Sequence, residues 1–463
     1  MGIGVSGWAL ARAVASTGQL GVVSGTALAH VLVRRFEAER DDEGLRRAIS
    51  LFPFPEVAER VRKRFLRPRR GRSSRFAPVP MYTLRSRADL TELTVLANFV
   101  EISLAKEGHD GPVGLNLLEK VQLPNLPSLY GAMLAGVDYV LMGAGMPRAI
   151  PAVLNRLAQH QAVSLTVPVT GGEDAVIAFD PAALARAERP LRRPYFLPIV
   201  SSDVLATMLA RKSSGSIDGF VVEGPLAGGH NAPPRGGSPQ SAASEPIYGE
   251  RDVPNLERIR QLGVPFWLAG SYASAERLAE ARRRGAHGVQ VGTAFALCRE
   301  SGLRSDLKQA LLRASAQGEV TVRTDPRASP TGMPFKVAAL AGTLSREAIY
   351  AERSRRCDVG YLRRAFRTAD GAIGYRCSAE PEADFQAKGG QPADSERRLC
   401  LCNGLLATVG LGQRRASGYE EPPLVTAGDD LKTIARFSAV TAAPYGAADV
   451  VSSLLRGLEG TAG

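Results

Sequence analysis

The sequence of 463 residues contains no apolar run approaching the ~20 residues a helix needs to span a bilayer, which excludes a helical membrane protein. Its first residues, Met1-Gly-Ile-Gly-Val-Ser-Gly-Trp8, carry neither the charged stretch nor the apolar core of a secretory leader, so no signal peptide is expected. Cysteine is scarce. Cys298, Cys357, Cys377, Cys400 and Cys402 are too few, and odd in number, for a disulfide scaffold of this length. These absences predict a soluble protein of a reducing compartment, the cytoplasm, without a membrane partner.

What is abundant points to an α/β enzyme. Hydrophobic residues make up 44% and glycine occurs 48 times, a composition suited to many tight strand–helix turns and opposed to disorder. The formal net charge is +12, and Arg60, Arg62, Lys63, Arg64, Arg67, Arg69, Arg70, Arg72 and Arg75 crowd one stretch. Nucleic-acid binding is one reading of that run, but neither an aromatic platform nor a reading helix accompanies it. A solvated loop fits better, with a cover that attracts anionic substrates as the intermediate reading.

Seven short apolar runs recur along the chain: Leu20–Ser24, Pro112–Leu118, Asp138–Gly143, Tyr195–Ser201, Asp218–Gly224, Pro265–Gly270 and Gly288–Thr293. They do not alternate apolar with polar, which is how strands buried on both faces read. Amphipathic stretches such as Ala273–Arg284 lie between them, the signature of βαβ units and a parallel sheet. The expected fold is a TIM (β/α)8 barrel spanning residues 1–345, with an insertion at about 40–90 and an extra hairpin at about 162–180. A cysteine-containing extension follows over 346–463. An eighth strand has to precede Leu20, either as a very short strand within Met1–Gly7 or as a segment upstream of it.

Gly2-Ile-Gly4-Val-Ser-Gly7 matches G-x-G-x-x-G, yet no strand precedes it and no acidic residue follows at the ribose-binding distance. A glycine turn that lets the backbone approach a flat ring is the better reading. The sharpest motif is Glu223-Gly-Pro-Leu-Ala-Gly228-Gly229-His230-Asn231, which starts where a predicted strand ends, the position of catalytic residues in a barrel. His230 there is a candidate base. The competing reading is a histidine that caps a loop. Gly270-Ser271 and Gly292-Thr293 close the last two strands and open helices, which suits a phosphate. Cys357, Cys377, Cys400 and Cys402 could hold structural zinc or an iron–sulfur cluster, but their spacing lacks the paired C-x-x-C pattern, and buried unligated thiols remain an equal alternative.

The run Glu223–His230, the turn Ala269-Gly270-Ser271, and Val289–Phe295 followed by Cys298–Gly302 together resemble the nitronate monooxygenase family, over roughly residues 1–340. The resemblance implies FMN held non-covalently, its phosphate near Gly270, Ser271, Gly292 and Thr293, with Gly228 and Gly229 beside it. It implies that Asn116 contacts the flavin and that His230 is catalytic or orients the substrate. It implies oxidation of small nitro or nitronate compounds with O2. Ser271 stands where the family usually has a second glycine. A related alternative is an FMN- and NAD(P)H-dependent enoyl-thioester reductase acting on a carrier-bound or CoA substrate.

Overall fold

The computed structural model describes residues 2–38, 43–67, 76–185, 189–236, 244–438 and 445–456. All seven apolar runs form strands: β1 (Gly21–Ser24), β2 (Val113–Leu118), β3 (Tyr139–Gly143), β4 (Tyr195–Val200), β5 (Phe220–Glu223), β6 (Phe266–Ala269) and β7 (Gly288–Gln290). They pair in chain order and every pairing is parallel. The sheet curls. Leu141, Leu197, Val221 and Ala269, from four different strands, meet Val22 and Trp267 in one apolar cluster on its inner face.

Among the described residues β1 and β7 remain edge strands, so the structure shows a curled parallel sheet of seven strands, and the eighth strand and closure of the expected barrel are not seen. Residues 3–6, offered by the sequence as a very short strand, form turns instead. That turn is tied to the edge of β1. The Ser24 N–H donates to the Ser6 carbonyl at 2.8 Å, and the Ser6 hydroxyl donates to the Val22 carbonyl at 2.6 Å. Helix α1 (Trp8–Ala15) starts directly after it, and the Trp8 N–H donates to Glu101 Oε1 at 2.8 Å. Glu101 is in turn paired with Arg35 at 3.2 Å. A protein carboxylate therefore holds the helix end at which a nucleotide fold would bind phosphate.

After β1 come α2 (Leu28–Ala38), α3 (Glu43–Ser50), α4 (Pro55–Phe65) and α5 (Ala88–Lys106), followed after β2 by α6 (Asn125–Leu134). Helices α3 and α4, which belong to the insertion, pack on α5. The first half of the basic run is thus helical and not a loop. It buries Val57, Val61 and Phe65, while its cations pair as Arg60–Glu92 at 2.7 Å, Arg62–Glu59 at 2.6 Å and Arg64–Asp89 at 3.5 Å. Arg69, Arg70, Arg72 and Arg75 lie outside the described residues. The extra hairpin forms as expected, Val163–Val167 pairing antiparallel with Ala175–Phe179.

The chain beyond about 345 is built into the rest of the fold. Leu401, Leu405, Leu406 and Leu424 join the same core as α5 and β2, while Val425, Leu431 and Tyr445 pack with Leu10 and Val14 of α1. Arg353 and Glu421 form an ion pair at 2.5 Å in which both side chains are almost fully buried. Among the described residues no helix is long and apolar enough to cross a membrane.

The contact between α5 and α6 depends on Gly131, because a Cβ added there would lie 2.2 Å from the Val95 carbonyl oxygen. On an exposed helix, replacing glycine by alanine stabilises by up to ~1 kcal/mol. Here the sign reverses: Gly131→Ala is expected to lower the unfolding free energy by about 1–3 kcal/mol in urea titrations. A stabilising result would show that the two helices separate freely.

Candidate functional site

The inner face of the sheet and the C-terminal strand ends bound a cavity of about 390 Å³. Its walls are apolar where Leu141, Leu197, Val221 and Trp267 face inward, and polar at the top, where Glu223, Ser271 and Thr293 end or follow their strands. The unpaired edges of β1 and β7 border it through Val22 and Val289, so the cavity extends into the open seam of the sheet.

The turn after β6 is conformationally unusual. Gly270 has φ +100° and Ser271 φ +62°, two consecutive residues in the left-handed region before the helix Ala275–Arg283. Glycine adopts that geometry freely, whereas serine there costs roughly 1–2 kcal/mol. The Ser271 hydroxyl is buried and makes no hydrogen bond, although the Asp430 carboxyl lies close enough to feel it. A strained residue with an unsatisfied buried hydroxyl marks a position suited to a ligand group.

The second turn, Gly292–Thr293, opens the short helix Thr293–Ala296. Thr293 Oγ1 accepts the Gly428 N–H at 2.9 Å. Gly428 belongs to a segment of the C-terminal extension that lies across the strand ends. Asp429 donates its N–H to the Leu226 carbonyl at 3.0 Å, and the Gly229 N–H donates to Thr426 Oγ1 at 2.8 Å. A Cβ on Gly228 would come within 2.8 Å of the Ala427 carbonyl carbon, so the glycine pair allows this close approach. Asp430 from the same segment lines the cavity. Burial raises its carboxyl pKa, against the opposing effects of Arg436, the Ala273 N–H and the nearby Ser271 hydroxyl.

The structure thus gathers Gly228, Gly270, Ser271, Gly292 and Thr293 around one cavity. Asn116, Gly229 and His230 are not among its lining residues. His230 turns toward another segment. Its Nε2 lies 2.7 Å from Ser329 Oγ, and its ring meets Phe335 edge-on with centroids 5.0 Å apart. Burial lowers its pKa to about 4, so it is neutral at pH 7. Glu223 received no role in the sequence, although an acid at the end of an apolar strand was a visible signal. It lines the cavity, and burial raises its pKa to about 7. Asp430 gave no local signal at all.

Cys298 is buried and its thiol donates to the Phe295 carbonyl at 2.9 Å. The other four cysteines surround a second, small cavity. Among the described residues no three His, Cys, Asp or Glu side chains are placed to hold a metal ion, so the expectation of a zinc or iron–sulfur site on Cys357, Cys377, Cys400 and Cys402 is not supported.

With this geometry in view, residues 187–330, a stretch that includes the histidine loop and both turns, match the family model of nitronate monooxygenase. A curated relative is the (3aS,4S,5R,7aS)-5-hydroxy-7a-methyl-1-oxo-octahydro-1H-indene-4-carboxyl-CoA dehydrogenase of Mycobacterium tuberculosis, 30% identical over 142 residues. The match covers 30% of this chain and 35% of that protein, so the chain spans about a third of the length of the relative it matches. Among solved structures, FabK from Thermotoga maritima aligns over 99% of this chain and 90% of its own at 17% identity and a TM-score of 0.49. A nitroalkane oxidase from Streptomyces ansochromogenes aligns over 99% and 94% at 13% identity and a TM-score of 0.48. Likenesses at these scores carry no argument about activity.

Two outcomes follow from the site. Ser271→Gly removes the left-handed serine and is expected to stabilise the fold by about 1 kcal/mol in denaturant titration; destabilisation would mean that the hydroxyl is held after all. Glu223 binds its proton more tightly when folded, at a pKa of about 7, than in the unfolded chain. Stability should therefore rise as the pH falls from above 7 towards the ordinary glutamate range. Glu223→Gln should flatten that slope in melting curves recorded between those limits. An unchanged slope would assign the proton to another group.

Proposed function

We propose that the protein is an FMN-dependent oxidoreductase of the nitronate monooxygenase type, oxidising small nitro or nitronate compounds with O2. The observation that carries this reading is the buried, unpartnered Ser271 hydroxyl on a left-handed turn, bordering the same cavity as Gly292 and Thr293. Those residue types fit a phosphate, with Gly270, Ser271, Gly292 and Thr293 as its holders and Gly228 permitting close backbone approach. When bound, FMN supplies the redox chemistry, taking electrons from the substrate and passing them to oxygen.

The chain's own contributions are binding, exclusion of water and management of a proton. Leu141, Leu197, Val221 and Trp267 give the cavity dry walls. Glu223, titrating near neutrality within it, can hold or release a proton at physiological pH. His230 is neutral and could accept a proton, but its Nε2 is engaged with Ser329 and it lies off the cavity lining, which favours an orienting role over direct transfer. The Asp430 carboxylate shares the Ser271 turn, so a phosphate binds there most readily when that carboxyl is protonated or displaced.

A second reading has one support, the relative named for a carboxyl-CoA substrate. In that reading the substrate is a thioester and a reduced nicotinamide cofactor supplies the electrons.

Purified protein is expected to show a flavin spectrum whose released chromophore behaves as FMN, and to consume O2 with a nitronate without NAD(P)H. Asp430→Asn should retain FMN about tenfold more tightly through loss of a like charge, while Glu223→Gln should lower kcat. A colourless protein that takes up no FMN on reconstitution overturns the reading. Rapid anaerobic bleaching by NADPH selects the thioester alternative.

A further inference from the structure

The loop that carries His230 is pinned against the strand Phe335–Ala338. The Lys336 N–H donates to the Gly229 carbonyl at 2.8 Å, and the Asn231 N–H donates to the Pro334 carbonyl at 2.9 Å. Ser329 and Thr331 stand in the turn that leads into that strand. Two arginines fix this turn through its carbonyls: Arg398 donates to that of Ser329 at 2.7 Å, and Arg364 to that of Thr331 at 2.5 Å. Ring and hydroxyls therefore meet in a frame that leaves them little freedom to part.

The three side chains form a file. His230 Nε2 lies 2.7 Å from Ser329 Oγ, and Ser329 Oγ lies 2.8 Å from Thr331 Oγ1. His230 and Thr331, at the two ends, are partly exposed, whereas Ser329 between them is fully buried. Two amides donate in fixed directions, the Thr331 N–H to Ser329 Oγ and the Met333 N–H to Thr331 Oγ1, both at 3.2 Å. A hydroxyl has one proton and two acceptor sites. Each amide fills one acceptor site, which leaves each hydroxyl one proton and one acceptor site for the file.

Two directions are then open to it. In the first, the Nε2–H donates to Ser329, Ser329 donates to Thr331, and the Thr331 proton points away from the file. In the second, Thr331 donates to Ser329, Ser329 donates to Nε2, and the ring proton sits on Nδ1. Both directions use the same contacts, so neither is held by an extra hydrogen bond. Among the described residues no protein group bonds Nδ1, which leaves that end open.

We propose that Ser329 and Thr331 relay protons between solvent and His230. A proton arriving at Nδ1 forms an N–H bond there. The Nε2 proton passes to Ser329 Oγ, the Ser329 proton to Thr331 Oγ1, and the outward Thr331 proton leaves to water. One proton has entered, one has left, and the first direction has become the second; a proton travelling the other way restores it. A neutral ring suits this role, because one nitrogen always holds a proton and the other always accepts one. His230 follows Gly228, which lines the larger cavity, by two positions, so the relay ends beside that cavity. Neither Ser329 nor Thr331 lines it; both act through the ring, as positioning residues for its proton. An oxidation that takes a proton from its substrate needs such an exit, and this use of the relay rests on the oxidoreductase reading.

The test is the exchange of the His230 ring proton with water, followed by nitrogen NMR of the full-length protein labelled at histidine. His230 is identified by its loss in His230→Gln. Thr331→Val keeps the shape and removes the outer hydroxyl, and exchange is expected to slow by about tenfold or more with that link gone. Thr331→Ser keeps the hydroxyl and should exchange at the wild-type rate, a rescue that a purely structural threonine does not require. Ser329→Ala should slow exchange as Thr331→Val does; if it fails to fold, the Thr331 pair still decides. Wild-type exchange in Thr331→Val overturns the proposal, and so does exchange as slow in Thr331→Ser as in Thr331→Val. In turnover with a nitronate, Thr331→Val should lower kcat and leave KM unchanged. The exchange measurement needs neither flavin nor turnover, so a protein that takes up no FMN overturns the oxidoreductase reading and leaves the relay to be decided by itself.

Discussion

Seven parallel strands curl far enough to share an inner core, yet among the described residues the two edge strands do not pair. That open seam is the constraint on which the rest of the molecule depends. Unpaired edges and the apolar inner face need cover, because exposed backbone groups and apolar walls are costly to leave in water. The cover comes from both ends of the sequence. The Gly2–Gly7 turn ties itself to β1 through Ser6, and helix Ala447–Leu455 places Val451 and Leu454 against the same cavity. The segment Val425–Asp430 crosses the strand ends.

This arrangement makes the extension part of the site. Thr293 bonds Gly428, Gly229 bonds Thr426, and Asp430 faces Ser271, so the turns expected to bind phosphate already have polar neighbours from the tail. Charge then becomes the deciding quantity at the mouth. Glu223 and Asp430 are both carboxyls whose pKa burial raises, and a phosphate would be a third acid in the same space. Interacting acids in low dielectric titrate in separated steps over a broad pH range, since the first proton bound removes the repulsion that raised its neighbours' proton affinity.

The insertion after β1 behaves differently. Its described cations are largely matched by carboxylates on the same or the adjoining helix, and none of its described residues lines the cavity. A concentration of arginine in sequence therefore need not produce a field at the active site. Paired on one helix face, the charges serve the packing of α3 and α4 on α5.

Local sequence was enough to locate all seven sheet strands, because runs such as Val113–Leu118 and Phe220–Glu223 are apolar on both faces and glycine turns bound them. It also located the hairpin, whose Val163, Leu165 and Val167 alternate with polar residues, and the glycine turns at Gly270 and Gly292. Each of these is a property of neighbours in the chain. What depends on distant partners could be read only in three dimensions: the missing closure between β1 and β7, the tail laid over the strand ends, and His230 turned to Ser329 and away from the cavity. The same holds for the convergence of Cys357, Cys377 and the Cys400–Cys402 pair, whose linear spacing showed no pattern. Hydrophobic period and turn chemistry act over a few residues. Burial, and with it the raised pKa of Glu223, is set by whichever remote segment excludes the water.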